Sequence, residues 1–220
     1  MTSTYHHGNL RQAVLERAAT VIAADGPYAF SLRSLASDLQ VSHTAPRHHF
    51  GNREGVLNAL AAQGFGRLAD RLELTRKNGG GFLDLGVSYV EFAVEHPGHF
   101  QVMFAPALLD ESDPELSRAR SRAFGELTGG VDRLGLADPG DDAAAAVIAG
   151  WSLVHGLATL ALTGNLQSAG VRDLLVEQDL AALTRRSASM LFGSVPRQAQ
   201  GGEQPDDQPP DTEARPAASD

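Results

Sequence analysis

Five side chains between residues 42 and 48 could hydrogen-bond a polyanion: Ser42, His43, Thr44, Arg47 and His48. Hydroxyls, imidazoles and a guanidinium reach phosphate oxygens and the base edges of a major groove. A second set lies further on: Tyr89, Phe92, His96, Phe100, Met103, Phe104, Trp151 and His155, accompanied by Phe82 and His99. Rings around a few polar groups suit an apolar cavity for a small organic molecule. They suit a plain core equally well. His155 stands four residues after Trp151, so both look into the same interior. His96 and His99, with Glu95 and His155, could ligate zinc on paper. Pro97 breaks the helix between the two histidines and no supporting carboxylate is evident, so no metal is expected.

The elements that must carry these groups read as helices. The first runs from a cap at Asn9 to Ala24, with Leu10, Val14, Ala18, Val21 and Ile22 on one side, and Asp25-Gly26-Pro27 stops it. Ser31 caps a second, short helix with Leu32, Leu35, Ala36 and Leu39 at helical spacing, and Ser42 caps a third over His43 to His49. A long fourth helix starts near Asn52 with Val56, Leu57, Leu60, Phe65, Leu68 and Leu72 in a stripe; Gly64 and Gly66 could make it pliable. Further helices are expected from Phe82 to His96, from the Asp113-Pro114 cap towards Gly135, from Ala143 to Gly164, and from Val171 to Phe192. No stretch alternates with period two, so the fold class is all-α. Ala143 to Val171 holds no Asp, Glu, Lys or Arg. Its Ala/Gly content and lack of a flanking Lys/Arg cluster predict a soluble helix buried on most sides rather than a membrane span.

Composition narrows the classes. The chain has 220 residues, 42% of them hydrophobic, and no cysteine. That is enough apolar material for a sizeable core, and it excludes disulfides, thiolate metal sites and a cysteine nucleophile. The start, MTSTYHHGNLRQ, lacks an apolar run, so a cytoplasmic location is expected. The formal net charge is −9, yet residues 1–53 sum to +2 and residues 54–220 to −11. Residues 194–220 hold five of the 11 prolines and no aromatic residue, which reads as a disordered acidic tail. No glycine-rich phosphate loop, HExxH or nucleophile–base pair is present, so neither a cofactor nor enzymatic activity is expected.

The stretch SLRSLASDLQVSHTAPRHHF, Ser31 to Phe50, is a short helix, a turn at Gln40-Val41 and a second short helix: a helix-turn-helix pattern. The same spacing would also serve two helices that merely pack. The run from Tyr5 to Leu60 resembles the DNA-binding domain of TetR/AcrR-type transcriptional regulators. The resemblance lies in Asp25-Gly26, Ser31-Leu32-Arg33-x-Leu35-Ala36, Val41-Ser42 and His49-Phe50-x-Asn52-Arg53-Glu54. His96-Pro97, Phe100, Met103-Phe104 and Trp151 with His155-Gly156 are similar to the C-terminal domain of the subgroup called the WHG type.

The resemblance implies that His43 to His49 is a recognition helix, with Thr44, Ala45 and His48 facing bases and Arg47 and His49 near phosphates. Ser31, Arg33 and Arg53 match positions that meet the DNA backbone. Two positions depart from the pattern: Gln40 stands where the family usually has Gly at positive φ, and Arg47 where Tyr is common. The resemblance further implies a homodimer on a pseudo-palindromic double-stranded operator, held by a four-helix bundle from the last two helices. Val147, Leu153, Leu160, Leu174, Leu180, Leu183 and Leu191 are its candidate contacts. The expected organisation is a DNA-binding domain over 1–53, a helical regulatory and dimerisation domain over 54–193, and the tail over 194–220. The expected function is a repressor released by a small-molecule effector bound between the Phe82–His96 and Ala143–Gly164 helices, with no membrane partner. A helical metal-dependent hydrolase using His96, His99 and Glu95, and a ligand-binding scaffold without DNA contact, are the alternatives.

Overall fold

The computed structural model describes residues 10–131, 141–172 and 179–192. Among these the chain is all-α: α1 (Leu10–Asp25), α2 (Leu32–Asp38), α3 (Ala45–Phe50), α4 (Arg53–Lys77), α5 (Phe82–Glu95), α6 (Pro97–Met103), α7 (Pro114–Val131), α8 (Asp141–Leu162), α9 (Ala169–Arg172) and α10 (Leu180–Phe192). The expected cap at Asn9 and the 194–220 tail lie outside the described residues.

Local chemistry accounts for most boundaries. Ser31 and Ser34 form a reciprocal capping box at the start of α2. Asn52 Oδ1 accepts the Gly55 N–H at 2.8 Å to open α4, and Asp113 Oδ1 accepts from Glu115 and Leu116 at 2.8 and 2.9 Å to open α7. At the end of α2 the Val41 N–H reaches the Ala36 carbonyl at 3.0 Å and the Gln40 N–H reaches Ser37 at 3.1 Å. These two bonds make a Schellman turn with Gln40 in its left-handed position, at φ 55°. A non-glycine residue there costs about 1 kcal/mol. Gln40→Gly is therefore expected to raise stability by up to about 1 kcal/mol, read as a higher midpoint in urea unfolding.

Three elements differ from the sequence expectation. The third helix starts at Ala45, not His43, and Ser42 is not its cap. Ser42 Oγ instead accepts the Thr44 N–H at 3.3 Å in a hydroxyl-closed turn, and Pro46 sits in the first helical turn, where its missing N–H has no cost. Pro97 does not only end a helix; it also starts α6, a single residue after α5, because His96 at φ −127° and ψ 53° breaks the helical geometry between them. Val171 to Phe192 is not one helix, since Asp179 leaves the helical run and its carboxylate caps α10 through the Ala182 N–H at 2.6 Å.

One core runs through the molecule, from Leu10, Val14 and Ile22 of α1 through Leu57, Leu60 and Phe65 of α4 to Tyr89, Phe92 and Val154. Helix α6 is wedged between α1 and α4 at two glycines. A Cβ on Gly98 would lie 2.0 Å from the Ala19 carbonyl oxygen, and one on Gly64 would lie 2.5 Å from Met103 Sδ. Gly64 is thus where α6 lies against α4, which gives that glycine a packing reason. Helix α8 departs from the expected burial. It is long and apolar enough to cross a membrane, but only 22% of its apolar window is buried in the protein. It packs one side against α5 and α10 and leaves Ile148 and Leu160 exposed.

Candidate nucleic-acid interface and effector pocket

The helix-turn-helix is held from behind. Leu35 and Ala36 of α2 and Pro46 of α3 are buried, and Arg17 of α1 pairs with Asp38 at 2.8 Å. With the apolar sides turned in, Ser42, His43, Thr44, Arg47, His48 and His49 are all exposed, and Ser31 and Arg33 join them on the α2 side. Ala45 is half-buried. The resulting surface carries hydroxyls, imidazoles and two guanidiniums and no carboxylate from residues 39–53.

Arg53 is placed differently from the other candidates. Its Nε donates to the Phe30 carbonyl at 3.2 Å, a terminal nitrogen donates to the Pro27 carbonyl, and the guanidinium lies 4.9 Å over the Phe30 ring. The side chain thus ties the 26–31 turn to the start of α4, a role that spacing gave no hint of.

The second candidate site is a cavity of about 600 Å³. Tyr89, Met103, Phe104, Trp151 and His155 line it together, as α5, α6 and α8 bring them around one space. Phe92, His96 and Phe100 do not line it. Phe92 and His96 border a separate cleft with Arg67 and Arg71, and Phe100 is buried behind the wall, its ring 5.2 Å from His155. Sequence reasoning missed the part contributed by α4 and α7: Phe65, Leu68, Arg120, Ser121, Phe124 and Leu127. The spacing of Arg120, Phe124 and Leu127 along α7 places them on one face and could have pointed to it.

Two chains of hydrogen bonds run through this region. The Trp151 indole N–H donates to Tyr89 Oη at 3.3 Å, and that oxygen lies 2.9 Å from His155 Nδ1. Burial pushes the Tyr89 hydroxyl pKa up and the His155 imidazole pKa down, so both are neutral. His99, 5% exposed, lies 2.9 Å from Gln63 Oε1; Gln63 Nε2 donates to Gln12 Oε1 at 3.0 Å and Gln12 Nε2 to Glu16 Oε1 at 2.8 Å. This chain runs from α6 through α4 to α1. Burial, with Arg67 and His96 adding to it, pushes His99 down to about 4. Its neutral Nε2–H is then the donor to Gln63. Glu95 is held by Arg71 at 2.5 Å, so Glu95, His96 and His99 do not converge; among the described residues no three such side chains gather at metal-holding distance.

The candidate dimer residues spread over several environments. Leu160 and Leu191 are exposed, at 42% and 59%. Val147 and Leu153 are half-buried against α5 and α10, Leu180 and Leu183 are half-buried, and Leu174 lies outside the described residues. Ile148 and Met190, on the same two helices, are exposed as well, at 53% and 85%.

Residues 82–183 match the family model described as the tetracyclin repressor-like C-terminal domain. An uncharacterized HTH-type transcriptional regulator of Bacillus subtilis, YobS, is 26% identical over 97 residues, which is 43% of this chain and 51% of that protein. An uncharacterized HTH-type transcriptional regulator of Mycobacterium tuberculosis is 24% identical over 157 residues, covering 70% of this chain and 71% of the relative. A solved structure of a protein of unknown function from Rhodococcus sp. RHA1 superposes with a TM-score of 0.70 at 29% identity, over 88% of this chain and 99% of that one.

Proposed function

Because the chain belongs to the TetR family of transcriptional regulators, we propose that it binds double-stranded DNA as a homodimer and represses transcription until a small apolar effector releases it. Residues 1–53 would form the DNA-binding part, and residues 54–193 the effector-binding and dimerising part, in a cytoplasmic protein without enzymatic activity. The observation that carries this reading is the α2–α3 surface. Its apolar side chains are buried or half-buried, while its exposed ones from Ser42 to His49 are of the types that read phosphates and base edges. A dimer would set two such surfaces about 34–36 Å apart on a pseudo-palindromic operator. The exposed apolar side of α8 and α10 supports the pairing, since a monomer would leave Ile148, Leu160, Met190 and Leu191 in water.

Release would be a shift between two states. The cavity is walled by α4, by Met103 of α6 and by Phe104 just after it, and α6 touches α1 of the DNA-binding part at Gly98. An effector that prefers one setting of α6 and α4 would change the spacing of the two recognition helices, and its differential affinity for the two states sets the extent.

The experiment separates positioning from reading. Arg47→Ala is expected to weaken binding evenly across DNA sequences and to lower the slope of log affinity against log salt by about one. His48→Ala is expected to relax the preference at one base position. Normal binding and unchanged preference in both variants would refute α3 as the recognition helix.

A further inference from the structure

Among the described residues the cavity lining carries no surplus charge. Its two ionised side chains, Arg120 and Glu111, engage each other through both guanidinium nitrogens and both carboxylate oxygens. Another part of the wall holds the Trp151–Tyr89–His155 chain. Tyr89 Oη takes the indole N–H on a lone pair, so its own hydrogen goes to the remaining partner, His155 Nδ1. A neutral imidazole that accepts at Nδ1 carries its proton at Nε2. Nε2 has no hydrogen-bond partner among the described residues. The ring is held in place, stacked on Phe100 at 5.2 Å and edge-on to Phe104 at 4.6 Å. His155 therefore presents one fixed, unused N–H donor to a mostly apolar space, whose polar lining beyond this hydrogen-bond chain is Ser121 and the Arg120–Glu111 pair.

Accordingly, we propose that the effector is an uncharged, mostly hydrocarbon molecule with a carbonyl oxygen (a ketone, ester or lactone) that accepts the Nε2–H of His155. The assignment rests on the reading of this cavity as the effector site. Among the described residues of the lining the one cation, Arg120, is already paired with Glu111, so it offers an anion no free counter-charge. A pure hydrocarbon would bury the His155 N–H without a partner, which is costly.

Trp151 is the sole tryptophan of the chain and lines the cavity, so its fluorescence reports occupancy. The full chain and its His155→Phe variant are titrated with 2-decanone, with 2-methyl-1-decene, in which a methylene replaces the oxygen, and with decanoate. The preference for ketone over alkene is expected to fall roughly 5- to 30-fold from wild type to variant, while the alkene, which no longer buries an unpaired N–H, binds the variant at least as tightly as the wild type and so reports an intact fold. An unchanged preference would overturn the carbonyl contact and leave the cavity standing as the effector site. Tightest binding by decanoate would overturn the uncharged class. No binding by any of the three would remove the cavity reading and this inference together. Should His155→Phe not fold, the carbonyl stretch of 2-decanone bound to the wild type decides. A frequency below that in hexane supports the contact, and a hexane-like frequency overturns it.

Discussion

Gly98→Ala is expected to destabilise the protein and to uncouple its two halves. The new Cβ would lie 2.0 Å from the Ala19 carbonyl oxygen and 2.8 Å from its carbon. Both are backbone atoms of α1, so no side-chain rotation relieves the contact. Helix α6 must move away from α1, and overpacking of this kind costs about 1–3 kcal/mol or more. For a chain of this length that lowers Tm by roughly 2–12 °C. The displacement falls on α6, which also carries Met103 of the cavity wall, with Phe104 directly after it, and the His99 link to Gln63. A variant that still folds is therefore expected to lose DNA affinity although no residue of the α2–α3 surface has changed. A Tm and an affinity equal to wild type would show that α1 and α6 are not in this close contact.

Acid is expected to act through His99. Buried beside Gln63, with Arg67 and His96 nearby, its imidazole titrates at about 4 in the folded protein, against about 6.5 in the unfolded chain. The unfolded state then binds a proton below pH 6.5 that the folded state refuses until about pH 4. The stabilising contribution is complete above pH 6.5 and is lost as the pH falls towards 4. At pH 5 the loss is about 2 kcal/mol, or roughly 4–8 °C in Tm. His96 and His155 are pushed in the same direction, mainly by burial. His99→Gln keeps an N–H for Gln63 and removes the titration. Thermal melts between pH 7.5 and 4.5 should show a flatter pH dependence in this variant than in wild type. Equal slopes would mean that His99 is not buried as described.

What could be read from the sequence was local chemistry. Ser31 before an apolar periodic run, Asn52 before α4 and Asp113-Pro114 before α7 each carry a capping side chain, and each cap forms where its spacing placed it. Gln40 takes the positive φ that its place in the turn demanded. Positions fixed by distant neighbours were not legible. Arg53 looks like a surface cation until the carbonyls of Pro27 and Phe30, more than twenty residues earlier, turn up beside it. Gly64 suggests pliability until Met103 is seen against it. Periodicity gives the apolar side of a helix but not its cover, so the sequence shows neither that much of the uncharged part of α8 stays exposed nor that α7 walls the cavity. Proline had two meanings at residue 97, a stop for α5 and a first turn for α6.

The central claim is that the α2–α3 surface reads DNA in a symmetric pair. Selection of bound duplexes from a random pool by the full chain, followed by a salt titration on the enriched sequence, tests it most directly. The account predicts an inverted repeat with half-sites about one helical turn apart, or a multiple of that, and affinity that falls steeply with salt. Enrichment of no sequence, with binding that is weak and indifferent to salt, would contradict it.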